Sequence, residues 1–176
     1  TRGRGAYVND RRLRVSKRIR LDQCLISTGF PFRKGDDFPT YLKMMGDVMQ
    51  RTAGMRRPGA AALDLAYVAA GYTDGFFETG LKPWDVAAGS LLVTEAGGLI
   101  GNFSGDAGHI EQTECLAGNP RVYAQLVTLL QKYSVYDSAP RPSDERKERV
   151  SLKKRDGAAP ADSADRAFQA WSGDAD

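Results

Sequence analysis

The sequence predicts an α/β domain, because short apolar runs of strand length alternate with longer segments of helical periodicity. The chain has 176 residues, which is enough for one domain with a substantial core. Hydrophobic residues make up 41% and charged residues 27% of the sequence, as in ordinary globular proteins. Alternation, length and composition together exclude a wholly disordered, collagenous or disulfide-stapled chain.

The first predicted elements are a hairpin, a strand and a helix. Asn9-Asp10 is typical of a tight turn, so residues 5–15 are predicted to form a hairpin. Residues 24–26 predict a short strand. Pro39 suits the first turn of a helix over 41–52. Its apolar face is predicted to comprise Tyr41, Leu42, Met45, Val48 and Met49.

Two further helices flank a strand in the middle of the chain. An Ala- and Leu-rich segment predicts a helix over 60–70, which Gly71 ends. Residues 75–78 predict a strand that ends at a carboxylate. Lys82-Pro83-Trp84-Asp85 then opens a helix over 86–96, and Gly97-Gly98 closes it.

The last predicted elements are two strands and a helix, followed by a tail. Residues 99–103 and 115–117 predict strands, and Asn119-Pro120 predicts the start of a helix over 121–133. Residues 137–176 are rich in Ala, Ser, Asp, Arg and Pro and carry few large apolar side chains. We therefore expect one α/β domain over 1–136 and a disordered polar tail over 137–176.

Charge and composition narrow the classes of function. The balance of 25 Lys+Arg against 22 Asp+Glu gives a net charge of +3, which alone does not indicate nucleic acid. No apolar run is long enough to span a bilayer, so no membrane partner is expected. Cys24 and Cys115 lack the spacing of a zinc or redox pair, which favours a cytoplasmic protein. His109 lies in a polar segment and is expected to be exposed and not catalytic.

Two carboxylates sit at predicted element ends, where open α/β sheets collect their functional groups. Asp85 lies at the mouth of a helix, where backbone N–H groups and the helix dipole favour its ionised form. An anionic Asp of this kind suits Mg²⁺, although spacing alone favours helix capping as the explanation of this position. Glu78 precedes Asp85 across a short turn, so both side chains can reach one rim of the sheet.

Several motifs in the order found here are similar to one known family. They are the segment from Gly59 through Asp64 to Gly71, then Asp74-Gly75-Phe76-Phe77-Glu78, Leu81-Lys82-Pro83-Trp84-Asp85 and Glu95-Ala96-Gly97-Gly98. Arg4-Gly5-Ala6-Tyr7-Val8-Asn9 and Ala117-Gly118-Asn119-Pro120 add to the likeness at either end. This pattern resembles the C-terminal half of the inositol monophosphatase family, magnesium-dependent and lithium-sensitive phosphatases. The resemblance implies the C-terminal α/β half of a layered αβαβα sugar-phosphatase fold, with a mixed sheet flanked by helices.

The resemblance implies roles for particular residues. Asp85 would be a ligand of Mg²⁺ and would orient a substrate hydroxyl, and Glu78 would bind a hydroxyl of the inositol ring. The backbone N–H of Ala61 would contact the substrate, with Gly59 and Ala60 permitting close approach of the backbone.

The resemblance leaves three other residues less defined. Arg56 and Arg57 match basic residues before that turn, where a surface or dimer-contact role is an equal alternative. Gly29 matches bacterial members of the family and receives no role.

The family's remaining metal ligands and its nucleophile-activating threonine come from the other half of its chain. Neither a Glu-Glu pair nor an Asp-Pro-x-Asp-Gly-Thr motif occurs here. We therefore expect part of a Mg²⁺-dependent phosphomonoesterase acting on inositol monophosphate or a related sugar phosphate. The isolated chain should contain no catalytic residue and show negligible turnover.

Other partners remain open at this stage. Some bacterial members of the family act in transcription antitermination and ribosomal RNA processing. Eight Arg and Lys residues among the first twenty, together with Arg56-Arg57, could offer a basic face to RNA or to the transcription machinery. Binding to RNA would weaken steeply with added salt. A homodimer is also expected from the resemblance.

Overall fold

A computed structural model describes residues 2–136, which form a small hairpin, a five-stranded sheet and four α-helices. The predicted tail over 137–176 lies outside the described residues. The strands are β1 Tyr7–Val8, β2 Arg11–Arg12, β3 Leu25–Thr28, β4 Gly54–Arg56, β5 Gly75–Glu78, β6 Leu99–Gly101 and β7 Cys115–Gly118. The helices are α1 Phe38–Met49, α2 Ala61–Ala70, α3 Pro83–Glu95 and α4 Pro120–Leu130. Short 3₁₀ turns occur at Leu21–Gln23, Gly108–Ile110 and Gln131–Tyr133.

The five-stranded sheet is mixed, in the order β4-β3-β5-β7-β6. Strand β3 is parallel to both β4 and β5, whereas β7 is antiparallel to β5 and to β6. Helices connect the parallel strands, as parallel pairing requires. The predicted α/β class with a mixed, helix-flanked sheet is confirmed.

Side chains of successive strand residues point to opposite faces of this sheet and fill two separate cores. Phe77 packs on one face with residues of α1 and α4, and Phe76 packs on the other with residues of α2 and α3. Both rings are fully buried. The sheet therefore lies between two helical layers.

The hairpin forms where the turn residues predict it. Asn9 and Asp10 have φ values of 46° and 61°, the left-handed region that a tight hairpin turn needs. Asn and Asp tolerate this region better than other non-glycine residues. The prediction over 5–15 is confirmed.

Helix α1 differs from its prediction in bounds and in its buried face. It begins at Phe38 because the Asp37 carboxylate accepts a hydrogen bond from the Thr40 N–H, at 3.1 Å. Its buried residues are Tyr41, Met44 and Val48. The predicted core positions Leu42 and Met49 are exposed. Tyr41, Met44 and Val48 follow the i, i+3, i+7 spacing of a narrow stripe, and Met45 packs beside it, so Leu42 and Met49 lie outside the buried face.

His109 is buried, which corrects the expected exposed position. The 3₁₀ turn places the ring against α3, where Nε2 lies 2.9 Å from the Ser90 hydroxyl. Burial lowers the pKa of the imidazole. The polar neighbours in the sequence concealed a packing position on a helix that is distant along the chain.

Within residues 2–136, no helix combines the length and apolar character needed to cross a membrane.

Candidate substrate site at the carboxyl edge of the sheet

The candidate site lies where the three parallel strands end. The register aligns Ser27 with Arg56 and Thr28 with Phe77, so β3, β4 and β5 terminate side by side. The connections that leave this edge from β4 and β5 run directly into α2 and α3. Strand ends and helix starts therefore meet on one rim, where open α/β sheets place their ligands.

Glu78, the last residue of β5, carries the most perturbed carboxyl group of this rim. Its pKa is raised to about 7, chiefly by burial and in smaller part by the negative charges of Asp64 and Asp85. Positive charge on Arg57 and Arg33 acts in the opposite direction. The two carboxylates predicted to share a rim are thus close enough to influence each other.

Gly29 has no side chain, and this leaves the space that the Glu78 carboxyl group occupies. A Cβ atom at position 29 would lie 2.0 Å from Glu78 Oε1, so a larger residue would displace the carboxyl group. The hydroxyl of Tyr41 donates to the Gly29 carbonyl, and Thr28 Oγ1 donates to the Phe77 carbonyl at 2.7 Å. Sequence reasoning assigned Gly29 no role, and the structure supplies one.

Helix α2 begins without a side-chain cap. Gly59 has φ 94°, which turns the chain, and Ala60 at the N-cap provides no capping side chain. The N–H of Ala61, the first residue of the helix, has no intrahelical acceptor. Small residues and a free N–H group at a helix start suit an anion or a hydroxyl group. The geometry thus agrees with the substrate contact that the resemblance implies, whose role stays a prediction.

Asp64, in the first turn of α2, is a site residue that the sequence analysis did not single out. Its side chain is fully buried beside the Ser27 side chain and the Ala60 backbone, whose hydrogen bonds favour the ionised carboxylate. Burial raises its pKa to about 6. A charged residue on the apolar face of a helix was the only signal in the sequence.

Asp85 lies at the third position of α3 and is half-buried. Its Oδ2 accepts a hydrogen bond from the Lys82 N–H, at 2.9 Å, and its own backbone N–H donates to the Lys82 carbonyl, also at 2.9 Å. Lys82, not Asp85, is the N-cap residue. The helix start thus holds the carboxylate in place, and its role as a metal ligand stays a prediction.

The donor chemistry at this rim is that of carboxylate oxygen, which suits Mg²⁺. However, residues 2–136 bring together no group of three or more His, Cys, Asp or Glu side chains able to hold a metal ion. Asp85 fits as one ligand of a metal site that needs others.

The two arginines before α2, Arg56 and Arg57, make different contacts. Arg57 stacks over the Phe30 ring, with 5.1 Å between its Cζ atom and the ring centroid. Its positive charge lowers the pKa of Glu78. Arg56 is exposed and donates to the Met55 carbonyl. Arg18, by contrast, pairs with Asp74, which directly precedes β5 at the amino end of the parallel strands. The structure therefore places Arg56 and Arg18 at opposite ends of the parallel strands.

This mixed sheet between two helical layers is the fold of a class of sugar phosphatases. The model of the inositol monophosphatase family matches residues 1–134. The chain belongs to the inositol monophosphatase family.

Individual relatives agree with this assignment. The Nus factor SuhB of Pseudomonas aeruginosa is 51% identical over 135 residues, covering 76% of this chain and 50% of the relative. The crystal structure of the extragenic suppressor protein suhB from Bartonella henselae matches at 49% identity with a TM-score of 0.71, covering 74% of this chain and 51% of that one. An inositol monophosphatase from Anabaena matches at 38% identity and a TM-score of 0.68, covering 74% and 52%. The chain spans about half the length of the curated relatives it matches.

Proposed function

We propose that this chain is the substrate-recognition half of a Mg²⁺-dependent phosphomonoesterase that hydrolyses inositol monophosphate or a related sugar phosphate. The observation that carries the proposal is the position of Glu78, at the strand end opposite the uncapped start of α2. A polyol phosphate presents hydroxyl groups as well as an anion. A carboxylate acceptor and free N–H donors on one rim match both.

Each residue has a separate task in this proposal. Glu78 accepts hydrogen bonds from ring hydroxyls, the Ala61 N–H donates to the substrate, and Asp85 holds one Mg²⁺ ion and orients a hydroxyl group. When bound, magnesium polarises the phosphoryl group and lowers the pKa of a coordinated water. The described residues supply one of the ligands that such a centre requires.

A phosphate-release assay with inositol monophosphate and Mg²⁺ tests the assignment to one half of an enzyme. Residues 1–176 alone are expected to release no phosphate above background, because the ligand set is incomplete. Robust turnover by this chain alone would refute the proposal of an incomplete site.

The role of Asp85 is testable in the full-length protein. Asp85→Asn keeps a side chain of the same size but removes the anionic ligand, so kcat/KM should fall by roughly 100-fold or more. Asp10→Asn, in the exposed turn of the hairpin, removes the same charge and should leave kcat/KM unchanged. Unchanged kinetics in Asp85→Asn, with the fold intact, would exclude Asp85 as a ligand.

A second candidate function is assembly with the transcription machinery. It is favoured by the Nus factor names of relatives that are 51–52% identical. Retention of the full-length protein by purified transcription complexes tests it, and retention that survives Asp85→Asn would separate this function from phosphate release.

A further inference from the structure

A buried pair of hydroxyl groups lies next to the candidate substrate site. Tyr41 of α1 and Thr28, the last residue of β3, are both buried, and their hydroxyl oxygens are in hydrogen-bond contact. The Tyr41 ring stacks on Phe77 of β5, with the ring centroids 5.9 Å apart. The pair therefore joins helix α1 to two of the strands that end at the rim.

The two hydroxyl groups serve backbone carbonyls where the pairing of β3 with β5 ends. The register of these strands finishes with Thr28 opposite Phe77. The Tyr41 hydroxyl donates to the Gly29 carbonyl, and Thr28 Oγ1 donates to the Phe77 carbonyl at 2.7 Å. Each hydroxyl group has one proton to donate, so two donors serve two carbonyls. Loss of either hydroxyl group leaves one donor for both, which is costly in a buried position.

Both carbonyls belong to peptide groups that bear on the Glu78 carboxyl group. The Phe77 carbonyl is part of the peptide bond that leads into Glu78, and the Gly29 carbonyl follows the residue that packs against the Glu78 side chain. A Cβ atom at Gly29 would lie 2.0 Å from Glu78 Oε1, so the carboxyl group fills the space above this glycine. The two hydroxyl groups therefore hold both the backbone that carries Glu78 and the backbone that its carboxyl group contacts.

The Tyr41 phenol stays protonated, and thus a hydrogen-bond donor, throughout the neutral pH range. Burial is the largest cause of its raised pKa, and the charges of Glu78, Arg57 and Asp64 also act on it. These three residues belong to the candidate site, so the phenol lies close enough to the rim to respond to its charges. Its hydrogen bond to the Gly29 carbonyl is available at every pH at which the site would operate.

We infer that Tyr41 is a positioning residue for substrate recognition. Its hydroxyl group fixes the Gly29 peptide against which the Glu78 carboxyl group packs, and so determines where that carboxyl group meets a substrate hydroxyl. Tyr41 is fully buried, so it acts through Gly29 and Glu78 and not by touching the substrate. The connection between Tyr41 and Glu78 rests on these contacts, whereas the connection to a substrate hydroxyl rests on the proposed function.

Tyr41→Phe tests the connection between Tyr41 and Glu78 in residues 1–176. It removes the hydroxyl group and keeps the ring that stacks on Phe77, so the Gly29 peptide should loosen and the Glu78 carboxyl group should gain solvent. Carboxyl-carbon NMR titration should show the midpoint of Glu78 lowered by about 0.5 to 1 pH unit. Tyr133→Phe is the matched control, because the hydroxyl it removes also contacts α1, at 2.7 Å from Asp47 Oδ2, and it should leave this midpoint unchanged.

Variants of Thr28 keep the test decisive where Tyr41→Phe does not fold. Thr28→Val removes the other hydroxyl group at similar size and should lower the Glu78 midpoint in the same direction, whereas Thr28→Ser keeps a hydroxyl group and should retain the wild-type midpoint. Circular dichroism and urea unfolding establish which variants are folded. An unchanged midpoint in a folded variant that lacks either hydroxyl group, or an equal fall in Tyr133→Phe, would overturn the inference.

Steady-state kinetics of the full-length protein distinguish positioning from a general loss of stability. Tyr41→Phe should raise KM for inositol monophosphate about 5- to 10-fold with kcat little changed, because a contact to a ring hydroxyl is weakened. With phenyl phosphate, which has no ring hydroxyl, kcat/KM should stay at the wild-type value, and Tyr133→Phe should match the wild type with both esters. An equal loss with both esters in Tyr41→Phe would show a merely structural role and overturn the inference. Absence of turnover by the wild type would overturn the proposed function alone, because the NMR titration does not depend on turnover.

Discussion

At the scale of the residue, the rim holds carboxyl groups that burial keeps partly protonated near neutral pH. Glu78 and Asp64 have pKa values raised to about 7 and about 6, with desolvation as the largest cause of each shift. A protonated carboxyl group can donate a hydrogen bond as well as accept one. Under the proposed function, Glu78 would therefore bind a substrate hydroxyl in either protonation state, and the state it adopts depends on pH.

The raised pKa of Glu78 predicts a specific dependence of stability on pH. Because the folded-state pKa of about 7 exceeds the ordinary glutamate pKa of 4.5, the folded chain binds more protons than the unfolded chain between these values. The stability contribution is therefore complete below the unfolded value and is lost as pH rises through about 7. Relative to Glu78→Gln, the wild type should lose roughly 1 to 3 kcal/mol of unfolding free energy between about pH 4 and pH 8.

Urea unfolding of residues 1–176 at several pH values measures this difference. The exposed Glu111→Gln removes the same charge and controls for net charge. A stability difference between wild type and Glu78→Gln that stays flat across the range would show that the Glu78 carboxyl group is not held in a desolvated position.

The close approach of Gly29 to Glu78 predicts the effect of one added methyl group. In Gly29→Ala the new Cβ would lie 2.0 Å from Glu78 Oε1, so the flexible carboxyl end must move outward. Its exposure to solvent should return the pKa of Glu78 toward 4.5, which carboxyl-carbon NMR titration measures. An unchanged titration curve would contradict the packing described for this pair.

At the scale of the element, local sequence signals predicted the ends of α2 and α4, and the missed strand β4 also has a local explanation. Gly71 adopts φ 72° and ends α2 as predicted, and Asn119 accepts from the N–H groups of Arg121 and Val122 to begin α4. Strand β4 was missed because Gly-Met-Arg is too short and too mixed to show periodicity, and only its pairing with β3 makes it a strand.

The candidate site was predictable only where a motif carried it. Glu78, Asp85 and Ala61 stand in recognisable segments, and the structure brings their elements to one edge. Asp64 and Gly29 act through burial and close contact across the fold, which spacing along the chain does not encode.

Two helical glycines, Gly89 at the contact between α2 and α3 and Gly46 in α1, should respond in opposite ways to substitution by alanine. At Gly89 of α3 an added Cβ would lie 2.5 Å from the Leu65 Cβ of α2, so Gly89→Ala should destabilise by about 1 to 3 kcal/mol through overpacking. At Gly46 of α1 an added Cβ meets nothing within 4 Å. There, Gly46→Ala should stabilise by about 0.5 to 1 kcal/mol, because alanine favours the helix. Urea midpoints of the two variants check this, and a stabilising Gly89→Ala would contradict the close helix packing.

At the scale of the whole molecule, both helical layers expose apolar side chains. Helix α1 exposes Phe38, Leu42 and Met49, and α2 and α3 expose apolar side chains on the face turned away from the sheet. The exposed apolar residues of α2 and α3 include Ala62, Leu63, Ala87, Ala88 and Leu91. A helix that is apolar on both sides is typical of a layer packed between two others. The candidate rim opens at the N-terminal ends of the same two helices.

The apolar face of α2 and α3 allows the proposed phosphatase activity to be tested by adding a preceding half. Because the chain spans about half the length of its relatives, we expect the preceding half of a relative such as Pseudomonas aeruginosa SuhB to pack on α2 and α3 when the two are co-expressed. Phosphate release with Mg²⁺ should then appear in the mixture and in neither half alone. Leu63→Glu/Leu91→Glu places charges on side chains that are 53% and 38% exposed, so it should leave this chain folded but block association and activity. The control Leu42→Glu/Met49→Glu, on exposed positions of α1, should leave both intact. Equal activity from both double variants would show that the preceding half packs elsewhere.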